Sequence, residues 1–350
     1  MAVVGENPQQ FENRKADHIR LALDSSTQTT GLSGLDRVRL EHEAFPEIDF
    51  DTVSLEHLLF SKSTSLPLFV SSMTAGHAGS VNLNLIMARV AEKRQWPMGV
   101  GSQRRQLTDQ TADREWQEIR RSCPRVRFFG NIGLAQLVHT PTGDIRRLAD
   151  SLQAEAMFVH TNPLQECFQP EGTPHFSGGY KAVGRLVEEL GLPVIVKETG
   201  CGFSKATLQR LQSLGVAAVD VSGLGGTHWG RVEGGRSPVG EKLSRAALTF
   251  GDWGIPTVES LLDARELKPT YEVWASGGVR SGLDAAKLFA MGASMVGLAQ
   301  PIIEAAVHGE EALDLRMELI EYELKTALFC TGSLNTRELR QKKVWSWLRI

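Results

Sequence analysis

An eight-stranded parallel (β/α)8 TIM barrel, preceded by an N-terminal extension, is the fold class this sequence predicts. Three observations predict it. Short apolar runs recur eight times between residues 67 and 299. Each is followed by a polar or glycine-rich loop and then by a stretch with helical spacing. The residue types suited to chemistry stand at the C-terminal ends of the runs, and a closed barrel gathers those ends into one ring. A doubly wound open sheet is the competing α/β architecture.

Taken in order, residues 1–65 read as an extension contributing to the substrate site, and 66–350 as the barrel. The runs are PLFVSSM (67–73), PMGVGS (97–102), VRFFGNIG (126–133), AEAMFVH (154–160), PVIVKE (193–198), VAAVDVSG (216–223), YEVWASGG (271–278) and ASMVGLA (293–299). They are continuously apolar rather than alternating, as expected of strands covered on both faces. The stretches 81–94, 179–191, 205–215 and 283–292 have helical spacing, and the last three end in Gly, the usual residue just past a helix C-terminus. Residues 301–350 read as helical throughout and close the structure.

Composition narrows the function class. The chain of 350 residues has 38 Lys and Arg against 41 Asp and Glu, a formal net charge of −3. No global field attracts nucleic acid or an anionic membrane. Cys123, Cys167, Cys201 and Cys330 stand far apart without a CxxC pair, which leaves a zinc site unsupported. The polar N-terminal stretch has no signal-peptide pattern, and no apolar run reaches the roughly 18 residues of a membrane helix. A cytoplasmic protein is the expectation.

The fourth run ends in HTNPLQE (160–166), which places His160, Asn162, Gln165 and Glu166 at the barrel mouth. The seventh ends SGGVRSG (276–282) and the eighth GLAQ (297–300). Loops after strands seven and eight often bind phosphate, because Gly admits backbone N–H groups close to the oxygens. Gly277, Gly278, Ala299 and Gln300 fit that task, and Thr227 in the glycine-rich sixth loop could add a hydroxyl. SSMTAG, GSQR, GNIG and VKE supply donors, acceptors and the cation Lys197 around the same mouth. That set suits a flat heterocycle with polar edges such as a flavin; for Lys197 alone, a phosphate ligand or a Schiff-base lysine remains open. Arg14, Lys15 and His18 share one helical turn and could meet one anion. No GxGxxG follows a first strand, so a dinucleotide site has no support.

RKADH (14–18), SSMTAG, GSQR, HTNPLQE, VKE, GGT (225–227), SGGVRSG and GLAQP together resemble the motifs of type 2 isopentenyl-diphosphate isomerases, in that family's order. The resemblance implies an enzyme that interconverts isopentenyl and dimethylallyl diphosphate with reduced FMN and Mg²⁺, NADPH serving as reductant, in a homo-oligomer (tetramer or octamer). It assigns Ser72, Met73, Thr74, Ser102, Asn131, Lys197, Ser222, Thr227, Gly277, Gly278, Ala299 and Gln300 to FMN. It assigns Arg14, Lys15, His18, Ser102, Arg104, Asn162 and Gln165 to the substrate, His160 and Gln165 to catalysis, and Glu166 to Mg²⁺. Gln165 has no useful pKa, so it orients or relays rather than acting as a free base. Three features depart from the family pattern: Ala75, Gln300, and a 171–179 loop without the expected acid–arginine pairing. Two alternatives stay open, an FMN-dependent 2-hydroxy-acid oxidase-like oxidoreductase and a non-catalytic flavin-binding protein.

Overall fold

The computed structural model describes residues 8–348, apart from 61, 65, 75–80 and 110–111. Eight parallel strands close into a barrel: β1 (Leu68–Val70), β2 (Met98–Gly99), β3 (Phe128–Gly133), β4 (Ala156–Thr161), β5 (Val194–Glu198), β6 (Ala218–Asp220), β7 (Glu272–Ala275) and β8 (Met295–Leu298). Every strand neighbours the next in sequence, and β8 pairs with β1 to close the ring. Each of the eight apolar runs therefore supplies one strand, and the open-sheet alternative is excluded.

Side chains along a strand alternate in direction, so every second residue points into the barrel. Those facing outward, among them Val70, Met157, Val159, Val196, Val219 and Val296, join the large core beneath the helices. Those facing inward change character with height. Low in the barrel, Phe69, Phe129, Phe158, Ile195, Ala218, Trp274 and Met295 form a separate buried cluster. Two residues further along each strand stand Ser71, Asn131, His160, Lys197, Asp220, Ser276 and Gly297. The barrel thus has a solid apolar floor and a polar upper layer. Phe158 anchors the floor against Phe69, Phe129 and Trp274, with ring centroids 6.1, 5.7 and 6.1 Å away.

The segment before β1 is built around this frame. The helix Pro8–Ala22 lies against the helix Trp229–Arg236 that follows β6. The backbone of Thr29 donates to Gly226 O at 2.9 Å, and His228 N donates to Thr27 O at 2.9 Å, stitching the extension to the sixth loop. A hairpin of His57–Leu59 and Lys62–Thr64 brings Leu59 into the floor cluster from below. The C-terminal stretch departs from its helical reading at the end. After the helices Gln300–Ala306, Glu310–Cys330 and Thr336–Gln341, Trp345–Trp347 pairs antiparallel with Val38–Leu40. Trp-Ser-Trp favours a strand over a helix, and an exposed edge from the distant N-terminal segment supplies the partner. Among the described residues no helix is long and apolar enough to cross a membrane.

Phe158→Ala should cost about 3–5 kcal/mol, the usual range for emptying a buried aromatic site, read from the urea unfolding midpoint. A loss below about 1 kcal/mol would contradict a rigid aromatic floor.

Candidate active site

The polar layer opens into one cavity at the C-terminal end of the barrel. Its lining includes Ser72, Met73, Thr74, Ser102, Asn131, Lys197, Ser222 and Thr227, together with Arg14, His18, Arg104, His160, Gln165 and Glu166. Gly277, Gly278, Ala299 and Gln300 line the same space.

At the glycine corner, Gly277 and Gly278 have φ of 93° and 78°, a region that side chains disfavour. A Cβ on Gly277 would stand 2.4 Å from Gly223 O, and one on Gly278 would stand 2.8 Å from Gly225 O. The seventh loop therefore packs backbone to backbone on the sixth. Arg280, in the same SGGVRSG segment, donates from Nη1 to Gly225 O at 3.0 Å and to Gly278 O at 3.1 Å. Its guanidinium lines the cavity beside the glycines. Arg280 stands within SGGVRSG but was not among the residues expected at this corner. Thr227 Oγ1 accepts a hydrogen bond from Gln28 Nε2 at 3.0 Å, so the extension also reaches this corner.

Around the ring, Ser72 Oγ is buried beside Gly99, with no hydrogen-bond partner among the described residues. Thr74 Oγ1 is held by Asn84 of the helix Val81–Arg94. Asn131 donates to Val100 O at 3.1 Å, and its side-chain oxygen lies 2.8 Å from His160 Nδ1. Lys197 Nζ donates to Asp220 Oδ2 at 2.5 Å and to Ser276 Oγ at 2.8 Å. Glu198, the next residue on β5, turns away from the mouth. Its Oε2 accepts from Cys201 N at 2.5 Å and Gly202 N at 2.8 Å, and burial pushes its carboxyl up to about 8 despite those bonds. Ser222 has φ of 30°, a conformation disfavoured for a residue with a side chain, held by Gly200 N donating to its carbonyl.

His18 and Gln165 are organised by a residue that sequence reasoning missed. Glu233, fully buried in the helix after β6, accepts from Gln165 Nε2 at 3.0 Å, pairs with His18 Nε2 at 2.9 Å and accepts from Arg236 Nη1 at 2.6 Å. Burial alone would raise its carboxyl. The His18 hydrogen bond and the charges of His18 and Arg236 outweigh that and hold it down to about 2. Arg236 continues to Glu171 through bonds of 3.0 and 3.2 Å. This overturns one expectation: the 171–179 loop does have an acid–arginine pairing, with the arginine coming from the sixth loop. Trp229 packs edge-on against His18, centroids 5.2 Å apart, and gives the cavity an apolar face there.

Asn162 caps the helix Pro163–Phe168 by accepting from Gln165 N at 2.9 Å, and its amide donates to Thr199 O at 3.1 Å. It is not among the residues that line the cavity. Glu166 does line the cavity, and its Oε2 accepts from Thr173 N at 2.5 Å. Arg14 is buried, whereas Arg104 has no hydrogen bond or ion pair among the described residues. The side chain of Lys15 and the whole of Ala75 lie outside the described residues.

The FMN-dependent dehydrogenase family model matches residues 111–346. Among solved structures, a flavocytochrome b2 with sulfite bound superposes with a TM-score of 0.69 at 18% identity, covering 97% of this chain and 83% of that one. A mandelate oxidase with a monooxide FMN adduct gives 0.63 at 19% identity, covering 95% and 94%. At those identities the likeness concerns the fold. Curated relatives decide the family. An isopentenyl-diphosphate delta-isomerase of Legionella pneumophila (strain Lens) is 53% identical over 95% of this chain and 97% of its own length. One from Bdellovibrio bacteriovorus is 53% identical over 97% and 99%, and one from a Nostoc species 41% identical over 95% of both.

The chain belongs to the type 2 isopentenyl-diphosphate delta-isomerase family. Family membership makes it an enzyme on the flavin-barrel fold.

The Glu233 network makes a pH prediction. The folded value near 2 lies below the ordinary 4.5, so the stability it contributes is present above about pH 4.5 and is lost as pH falls towards 2. Denaturant unfolding across that range should show the loss, and Glu233→Gln should show it already at neutral pH. A variant profile that overlays the wild type from about pH 7 to about 3 would remove Glu233 from this role.

Proposed function

We propose that the enzyme interconverts isopentenyl diphosphate and dimethylallyl diphosphate by proton addition and removal, with reduced FMN and Mg²⁺ bound in the cavity. The observation that carries the reading is the presence of two separate anion-receptive regions in one cavity, joined by a polar ring over a dry floor. One is the glycine corner with Arg280, suited to a cofactor phosphate. The other is the set Arg14, Arg104, His160 and Glu166, suited to a metal-bound diphosphate.

The residues fit both groups. Gly277, Gly278, Ala299, Gln300, Thr227 and Arg280 would hold the FMN phosphate. The unpartnered Ser72 hydroxyl, with Thr74, Ser102, Asn131 and Lys197, would hold the ring. Mg²⁺ takes few carboxylates and completes its shell with phosphate oxygens and water. The described residues contain no cluster of three or more metal-ligating side chains, and Glu166 alone suits that preference. Reduced FMN, when bound, supplies an electron-rich ring that steadies positive charge on the substrate and exchanges a proton with it.

The chain's own groups do the rest. Arg14, Lys15 and Arg104 bind the diphosphate and fix the hydrocarbon over the ring. His160, held in place by its Nδ1–H donating to Asn131 Oδ1, lines the cavity where the substrate would lie. Gln165 is anchored through its amide nitrogen to Glu233, which leaves its oxygen to steer the reacting carbon or relay a proton. Trp229 and His18 keep water from a cationic intermediate. NADPH acts as an external reductant and is not consumed with each turnover. The enzyme works as a homo-oligomer in the cytoplasm. Arg236, which ends the segment GGR (234–236), is committed to Glu171 and Glu233 and so is not offered to a carboxylate substrate.

The test of the whole reading is turnover in the two redox states. Oxidised enzyme should be nearly inactive, and anaerobic reduction should restore many turnovers per reductant; consumption of one NADPH per product would support the oxidoreductase instead. Glu166→Gln should need far more Mg²⁺ while its flavin spectrum stays normal, and an unchanged Mg²⁺ requirement would take Glu166 out of the metal site. Arg104→Ala should raise KM about ten- to hundredfold, the loss of one charge-assisted bond of about 1.5–3 kcal/mol, with FMN retained. Loss of FMN at normal KM would reverse the assignment of the two anion sites.

A further inference from the structure

Beneath the cavity wall lies a charged cluster that flavin binding alone does not require. Lys197 on β5, Asp220 on β6 and Ser276 just after β7 meet in the upper layer of the barrel. Lys197 and Asp220 stand in register on adjacent strands. The ammonium donates to Asp220 Oδ2 at 2.5 Å and to Ser276 Oγ at 2.8 Å, while Ser276 Oγ lies 2.9 and 3.0 Å from the two carboxylate oxygens. Asp220 is completely buried and sits behind the wall, whereas Lys197 lines the cavity. Among the described residues, the carboxylate has no side-chain partners other than these two. Two of the three ammonium donors are thereby spent inside the protein.

We propose that Asp220 is a positioning residue for the flavin chemistry: it fixes Lys197 and neutralises its charge, so that the reduced ring keeps its electron density for the substrate. The proposal rests on the reading that this cavity holds FMN. An unpaired ammonium at the ring would stabilise the reduced anion and draw its charge towards the lysine. A reaction that returns every electron gains nothing from that stabilisation. It gains from an electron-rich ring beside a carbocation. A buried carboxylate in contact with the lysine serves that need, and it also prevents the cost of a lone buried cation.

The experiment measures the two-electron potential of bound FMN in the wild type and the variants at one pH. Asp220→Asn, close to isosteric, should hold reduced FMN at least about tenfold more tightly relative to oxidised FMN than the wild type does, a rise of about 30 mV. Removing both charges in Lys197→Met/Asp220→Asn should place the potential below the wild type, which then lies between the two variants. With Asp220→Asn, kcat should fall about tenfold or more with KM little changed, because Asp220 touches none of the residues assigned to the diphosphate. If Asp220→Asn does not fold, Asp220→Ser, also neutral, is read the same way. A folded, FMN-loaded neutral variant with an unshifted potential overturns the proposal. Wild-type protein that neither retains FMN nor isomerises when reduced would instead overturn the reading on which it rests.

Discussion

Closure of eight parallel strands is the constraint from which the rest follows. A barrel of this size has an interior just wide enough for side chains, so it cannot hold a ligand in its middle. The chain meets this by changing residue class along each strand. Phe129 gives way to Asn131, Phe158 to His160, Ile195 to Lys197, and Trp274 to Ser276. The floor has one side-chain polar group, the Trp274 indole N–H, which donates to Glu272 Oε2 at 2.8 Å. The upper layer has several, and they satisfy one another or face the cavity. Chemistry is thereby confined to one end, where the loops can reach it.

The loops are held together by ion pairs that are themselves buried. Glu233 joins the N-terminal helix through His18, the fourth loop through Gln165 and, by way of Arg236, Glu171. A carboxylate in that position is costly to desolvate, and it stays ionised because three donors surround it. The same network fixes the orientation of Gln165 and ties the helix that carries Arg14 to the helix after β6.

The strand ends were legible in the sequence because a buried parallel strand writes a continuous apolar run and any polar residue that ends it stands out. The glycine corner was legible because only Gly tolerates the φ of Gly277 and Gly278 beside a neighbouring carbonyl. What escaped were partnerships across long stretches of chain. His18 and Glu233 are 215 residues apart, and Glu171 and Arg236 are 65 apart. No local pattern announces either pair, and a Glu inside WGRVEGGR reads as a solvated helix residue. The helix cap at Asn162 is local by contrast: an Asn before Pro is a common cap, and its position in HTNPLQE suggested a ligand contact instead. The terminal Trp345–Trp347 strand needed a partner from the other end of the chain before it could form.

The central claim is that this barrel moves a double bond by adding and removing protons, without net electron transfer. It is tested most directly by running the anaerobically reduced enzyme on isopentenyl diphosphate and Mg²⁺ in D₂O and following deuterium by mass spectrometry. The account predicts dimethylallyl diphosphate that carries solvent deuterium, formed over many turnovers with the flavin still reduced at the end. Product without deuterium, or a flavin oxidised in step with product, would contradict it.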